Sequence, residues 1–341
     1  QGLEMVASTQ PDAVVLDVEM PEMTGIEFLE HLQPQKRSDV VVIMFSSASK
    51  KNAEVTMDCL NRGAQEFITK PDPSSSGMRQ PLEEAVDELS RTIRALVKSK
   101  KGKRGRSAGA SAPTGATRNK SESLPSTPSV ASSASGGSSG AVPSGFQPDL
   151  IVVGSSTGGP QTLHQILSKV EDKGGIRVPI LLVQHMAKGF TAPFADRLGS
   201  RGVFSWREAS DGEKVPVGTG LVGPGDYHMR LSSYTNRLTV KLDQSERVNS
   251  CRPAVDPLFI SAAELAKTKV LGIVLTGMGQ DGLEGARQLR DAGNVVVVQD
   301  EASSAVWGMP GAVARAGIQN AIQTPDEIAH LLTRTLHAKV G

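Results

Sequence analysis

Short apolar runs recur along the chain, and each gives way to a polar or small residue and then to a stretch of helical period. In the first part, Ala13–Leu16 leads into Asp17, Val40–Phe45 reads as a second buried strand and Ala64–Thr69 as a third. Helical spacing covers Gly25–Leu32, a segment near Asn52–Leu60 and the amphipathic Leu82–Leu96. Further on, Leu150–Val153 precedes a helix predicted from about Pro160 to Val170, and strands are predicted at Val178–Val183, Leu271–Leu275 and Val295–Val298. Continuous apolar strands alternating with helices predict parallel sheets covered on both faces. Leu231–Leu242 differs, and predicts a hairpin turning near Thr235–Asn236. There is no repeat of solenoid period.

From Lys98 to about Gly145 this patterning stops. A basic run (Lys98, Lys100, Lys101, Lys103, Arg104, Arg106) opens a Ser/Gly/Ala/Pro tract that continues through SESLPSTPSVASSASGGSSGAVPSG. Such a segment buries too little apolar surface to offset its ordering entropy, so it is expected to be a flexible linker between two units. With no aromatics interleaved, the basic run reads as a solvated tether rather than a nucleic-acid or lipid site. At 341 residues the chain is long enough for two cores. Its 37 basic and 36 acidic residues give a net charge of +1, which excludes a global attraction to nucleic acid or anionic membrane. Aromatics at 4% argue against a base-stacking platform. Cys59 and Cys251, far apart in the chain, read as reduced thiols of a cytoplasmic protein. No run approaches the ~20 apolar residues of a membrane helix, and no segment reads as a signal peptide. The chain opens on Gln1 rather than Met, so a segment upstream of it is expected.

Candidate chemistry gathers at predicted strand ends. Leu150–Val153 runs into Gly154-Ser155-Ser156-Thr157-Gly158-Gly159, a G-x-S-x-G between strand and helix. Glycines permit a sharp turn that lifts the Ser156 oxygen above the sheet, and the Thr157 N–H then points where an oxyanion would form. A small-residue loop here fits a phosphate equally well. A serine nucleophile needs a base, and His185 directly follows the strand Val178–Val183 through Gln184. Carboxyl ends of parallel strands share one crevice, so His185 and Ser156 are expected on one edge. His164 is about two turns into the following helix, His228 is in a predicted loop, and His31, His330 and His337 read as surface helix residues. Asp281, after Leu271–Leu275, is the carboxylate that would orient the imidazole. A rival shares this segment: Gly277-x-Gly279-x-x-Gly282, with Asp300 ending the next strand, fits a dinucleotide fingerprint. Against it, Asp281 would set a negative charge beside the pyrophosphate, and Ser156 and His185 would go unused.

Residues from about Asp149 to Leu332 resemble the catalytic domain of the chemotaxis protein-glutamate methylesterase family, CheB. The resemblance is carried by GSSTGG (Gly154–Gly159), QHM (Gln184–Met186), GF (Gly189–Phe190) and PGDYHM (Pro224–Met229). RPAVDPLF (Arg252–Phe259), LTGMGQDG (Leu275–Gly282) and QDEASSAVWGMP (Gln299–Pro310) extend it. It implies Ser156 as nucleophile, His185 as base, Asp281 as its orienter, and the backbone N–H groups of Thr157 and Met278 as oxyanion donors. It also implies hydrolysis of glutamate γ-methyl esters on the cytoplasmic helices of chemoreceptors, with receptor-glutamine deamidation as a second activity and no cofactor for the esterase. Ser155 stands where the family often has Ala.

The first part resembles a response-regulator receiver through LDVEMPEMTG (Leu16–Gly25), MFSSAS (Met44–Ser49) and Thr69-Lys70-Pro71. That implies Asp17 as phosphoryl acceptor, Ser46 as switch hydroxyl, Lys70 at the phosphoryl oxygens and a chemotaxis histidine kinase as phosphodonor. It further implies that the unphosphorylated receiver covers the esterase cleft. Receivers bind magnesium through an acidic pair at the end of their first strand, and nothing before Asp17 supplies that pair. Gln1–Thr9 reads as the tail of the second helix, so the receiver is expected to be N-terminally incomplete, its metal site not intact and Ala13–Leu16 an exposed edge. Magnesium is expected only with the upstream segment. The fold class is therefore α/β: an incomplete flavodoxin-like receiver (1–96), a linker (97–147) and a doubly wound parallel-sheet catalytic domain (148–341). Two other readings compete: a nucleotide-binding oxidoreductase built on Gly277–Gly282, and a non-catalytic receiver-linked scaffold.

Overall fold

A computed structural model of the chain describes residues 1–32, 40–47, 49–71, 79–108, 141–171, 177–200, 204–234 and 237–336. The Ser/Gly/Ala/Pro tract over 109–140, the turn at Thr235–Asn236 and His337 lie outside the described residues.

Helix α1 (Gly2–Thr9) leads to strand β1 (Ala13–Asp17), followed by α2 (Gly25–Leu32), β2 (Val41–Ser46), α3 (Lys50–Asn61), β3 (Glu66–Thr69) and the long α4 (Arg79–Ala108). The three strands are parallel in the order β1-β2-β3, with Asp17 opposite Phe45 and Ser46 opposite Thr69. Val15, on the edge strand β1, is 43% exposed. One boundary needs correction. The sequence places the start of the tether at 97, but the chain stays helical to Ala108, so α4 carries the basic run. Lys and Arg are good helix formers, and cations in a last turn complement the helix dipole. Lys100 Nζ also donates to Val40 O at 3.0 Å, and Lys101 pairs with Asp12 at 2.7 Å, which fastens this stretch to the β1–β2 edge.

The larger unit is wound on seven parallel strands. In chain order it runs β4 (Leu150–Ser155), α5 (Gly159–Leu167), β5 (Ile180–Gln184), α6 (Thr191–Gly199), β6 (Ser205–Glu208) and β7 (Thr219–Val222). The antiparallel hairpin β8 (His228–Tyr234) and β9 (Arg237–Asp243) follows, and then α7 (Val255–Ala263), β10 (Val270–Val274) and α8 (Leu283–Asp291). Last come β11 (Val295–Gln299), α9 (Met309–Arg315), β12 (Ala321–Gln323) and α10 (Pro325–Thr335). The sheet order is β12-β11-β10-β4-β5-β7-β6, every pair parallel. Chain order reverses between β4 and β10, and ligands of open α/β sheets bind at that switch, outside the carboxyl ends of the strands.

Alternation of side chains explains both covered faces. Ile151, Val153, Ile180, Leu182 and Ile273 belong to the same buried cluster as Leu163, Ile166 and Leu332 of α5 and α10. Leu150, Val152, Leu181, Val183 and Val274 join Leu258, Phe259 and Leu289 of α7 and α8. Each such side chain contributes roughly 1.5–3 kcal/mol on burial. The two units touch at α3, β3, α5 and α6. The Phe67 ring stacks on Phe190 with centroids 4.5 Å apart, Arg197 pairs with Asp58 at 2.9 Å, and Gln161 Nε2 donates to the carbonyls of Leu60 and Ala64. Among the described residues no helix is long and apolar enough to cross a membrane.

Candidate active site

Ser156 follows β4 in a tight turn. Ser156 N donates to Thr276 O at 3.0 Å, and Gly159 N to Ser156 O at 2.7 Å. Gly158 has φ +78°, and a Cβ there would lie 2.4 Å from Ala305 Cβ, so only glycine fits. Gln184, the last residue of β5, braces the same turn. Its Nε2 donates to Ser156 O at 3.0 Å, and its Oε1 accepts from Ser155 Oγ at 2.6 Å. The N–H groups of Thr157 and Met278 donate to no other group among the described residues.

The next residue, His185, turns its Nε2 to Asp281 Oδ2 at 2.7 Å; their side chains are 12% and 2% exposed. Asp281 precedes α8 but caps α7: Oδ2 accepts from Val255 N at 2.6 Å and Oδ1 from Asp256 N at 3.1 Å and Gly282 N at 3.0 Å. Burial pushes the Asp281 carboxyl up, but His185 and these donors outweigh it and hold it below the usual carboxylate range. Burial likewise favours the neutral His185 ring, but the Asp281 carboxylate together with the neighbouring Cys251 sulfur outweighs it and raises the imidazole above its ordinary value. Because Nε2 is committed to Asp281, Nδ1 is the nitrogen left for chemistry. In this structure its neighbour is Cys251 Sγ, at 3.5 Å.

The structure thus brings Ser156, His185, Asp281, Thr157 and Met278 to the ends of adjacent strands β5, β4 and β10. In the Gly277–Gly282 turn the Asp281 carboxylate takes the Gly282 N–H and the first amides of α7, so it sets a negative charge where a pyrophosphate would lie. His228 is not in a loop but begins β8, fully buried. Its Nδ1 accepts from Ala254 N at 3.3 Å and its Nε2 donates to Glu246 O at 3.0 Å, a bracing role. In the smaller unit Lys70 pairs with Asp17, and Ser46 Oγ donates to Ser47 O at 3.3 Å. Among the described residues no group of three or more His, Cys, Asp or Glu is placed to hold a metal ion. Sequence reasoning missed Gln184, Asn249, Cys251 and Asp256, all of which touch the site. Two of them carried a signal: Gln184 inside QHM and Asp256 as an acid inside RPAVDPLF. Also unexpected is Glu66 of β3: its buried carboxyl meets the Gly158 N–H and the Thr157 hydroxyl, and burial pushes it up to about 7.

A parallel α/β enzyme with a serine, a histidine and an aspartate at its switch point is the class these observations define. Residues 151–332 match the family model described as CheB methylesterase, and residues 1–78 that of the response regulator receiver domain. The protein-glutamate methylesterase/protein-glutamine glutaminase of Trichodesmium erythraeum (strain IMS101) is 36% identical over 335 residues, 98% of this chain and 88% of that protein. The protein of the same name from Haloarcula marismortui is 37% identical over 341 residues, 100% of this chain and 89% of that protein. The crystal structure of the Thermotoga maritima CheB methylesterase catalytic domain superposes with a TM-score of 0.53 at 36% identity, covering 55% of this chain and 98% of that one. The chain belongs to the CheB methylesterase family.

Proposed function

We propose that this chain hydrolyses γ-methyl esters of glutamate on the cytoplasmic helices of chemoreceptors, releasing methanol, and deamidates glutamines there, with Ser156, His185 and Asp281 as the catalytic triad. The observation that carries the reading is the Asp281–His185 hydrogen bond, at the carboxyl edge of the strands that also end in Ser156. Asp281 holds Nε2, so Nδ1 takes the Ser156 proton as Oγ attacks the ester carbonyl. The N–H groups of Thr157 and Met278 stabilise the oxyanion, strengthened by the positive end of α5. His185 then protonates the departing methoxide, and water, deprotonated by the same nitrogen, cleaves the acyl-enzyme to leave a glutamate. With glutamine the departing group is ammonia. No cofactor takes part in these steps.

The receiver, residues 1–96 with the rest of α4, accepts a phosphoryl group from a chemotaxis histidine kinase on Asp17, with Lys70 and Ser46 at the phosphoryl oxygens. It regulates the catalytic unit, residues 148–341, and the protein works in the cytoplasm. Initial methanol release from a γ-methyl-glutamyl chemoreceptor fragment tests the reading. Ser156→Ala and His185→Ala should each lose activity by several orders of magnitude, and Asp281→Asn less. Sustained release by Ser156→Ala would remove the serine mechanism.

A further inference from the structure

Asp281 and Asp256 exchange helix ends. Asp281, in the loop before α8, caps the first amides of α7. Asp256, in the first turn of α7, accepts from Gly285 N in the first turn of α8 at 2.8 Å. Helix N-termini present unpaired N–H groups and a positive dipole end, so each site suits a carboxylate. The exchange nonetheless sets two acids side by side, 6% and 2% exposed. Burial and the Asp281 charge push Asp256 up to about 6.

Between the two acids lies one amide. Asn249 Nδ2 donates to Asp256 Oδ2 at 2.9 Å and to Asp281 Oδ1 at 3.0 Å. A carboxamide NH₂ has two donors, and both are used here. The backbone around Asn249 is shaped for this. Val248 and Cys251 exchange N–H···O bonds of 3.1 and 2.9 Å, and the two residues between them, Asn249 and Ser250, have φ of 50° and 65°. Positive φ at both central positions defines a type I′ turn, for which Asn is a favoured first residue. The turn itself faces solvent, and the amide reaches inward.

We propose that Asn249 and Asp256 are positioning residues of the esterase: the Asn249 amide clips Asp256 to Asp281 Oδ1, which leaves Oδ2 aimed at His185 Nε2. The proposal rests on Asp281 being the triad carboxylate. The clip acts on the imidazole through Asp281 and does not touch substrate, so its loss should lower kcat and leave KM unchanged. It also predicts opposite electrostatic effects. Asn249→Asp adds a negative charge beside Asp281 and raises the His185 pKa; Asp256→Asn removes one and lowers it.

The test uses the full chain and methanol release from a γ-methyl-glutamyl chemoreceptor fragment across the pH range, with Ser156→Ala as control. Asn249→Asp and Asp256→Asn should each lower kcat roughly tenfold. The acid limb of the kcat profile should move to higher pH in Asn249→Asp and to lower pH in Asp256→Asn. The exchange variant Asn249→Asp/Asp256→Asn restores one amide and one extra carboxylate, so it should recover most of the lost rate rather than multiply the two losses. Asn249→Gly, whose backbone takes positive φ freely, should lose kcat like Asn249→Asp, which keeps the test independent of turn strain. Multiplied losses in the exchange variant, or acid limbs that stay in place, overturn the clip while an inactive Ser156→Ala leaves the triad standing. An active Ser156→Ala overturns both.

Discussion

His185 is held between opposing effects: burial favours the neutral ring, and the Asp281 carboxylate, with the Cys251 sulfur beside it, prevails in raising the imidazole. A raised imidazole keeps its proton to higher pH, so the neutral ring needed for attack forms only as pH rises through that raised value. The acid limb of kcat against pH should therefore lie above the ordinary histidine value of about 6.5. Asp281→Asn should move it down while lowering the plateau. A limb at or below the ordinary value in the unmodified protein would contradict this balance. Gly277 sets a steric limit on the same site. A Cβ at that position would lie 2.8 Å from Ser156 Cβ and 2.3 Å from Met309 Sδ. Gly277→Ala should displace the nucleophile or Met309, cost roughly 1–3 kcal/mol as overpacking and remove most esterase activity, read by thermal melting and methanol release together.

At the scale of elements, the turn from β4 to α5 carries Ser156 between a buried strand and the N-terminus of a helix. Gly158→Ala forces a side chain into left-handed backbone and against Ala305, so it should destabilise by roughly 1–3 kcal/mol, seen as a lower denaturation midpoint; an unchanged midpoint would mean that the turn relaxes freely. Strands β1, β2, β4, β5, β10 and β11 were legible because each is an apolar run, and from those strand ends the positions of Ser156, His185 and Asp281 could be expected on one edge. Helix α7 was not legible. It is buried on almost every side and so lacks an amphipathic stripe, and Pro257 stands in its first turn, where proline is tolerated. Strands β6, β7 and β12 carry no comparable apolar run, reading SWRE, TGLV and AIQ. Asn249 lies in the polar stretch QSERVNS, which has no period, and its reach to Asp281 exists only in three dimensions. The lysines and arginines at the far end of α4 match a solvated linker in composition, and they also extend a helix.

At the scale of the whole molecule, the receiver-like unit meets the catalytic turn directly. Phe67 stacks on Phe190, and Glu66 reaches the Gly158 N–H and the Thr157 hydroxyl, beside Ser156. Phe67→Ala should raise basal methanol release in the full chain, since the docked state loses a buried aromatic contact; a lower rate with the fold intact would contradict docking as a brake. Burial of Glu66 adds a pH dependence. Its carboxyl is held up at about 7 when docked, above the usual carboxylate value of about 4.3. Docking is thus favoured by the proton: its contribution is complete below about pH 4.3 and is lost as pH rises through about 7. The neighbouring Glu88 is raised too, by burial against the lowering charges of Arg91 and Arg247. The ratio of basal rates, unmodified protein over Glu66→Gln, should climb between those limits, and a flat ratio would discard Glu66 as the titrating group. All of this regulation depends on there being a serine esterase to regulate. The most direct measurement is covalent labelling of the full chain with a fluorophosphonate, followed by digestion and mass mapping of the modified peptide. The account predicts a single label on Ser156, lost in Ser156→Ala and strongly slowed in His185→Ala. Undiminished labelling and undiminished methanol release in Ser156→Ala would contradict it.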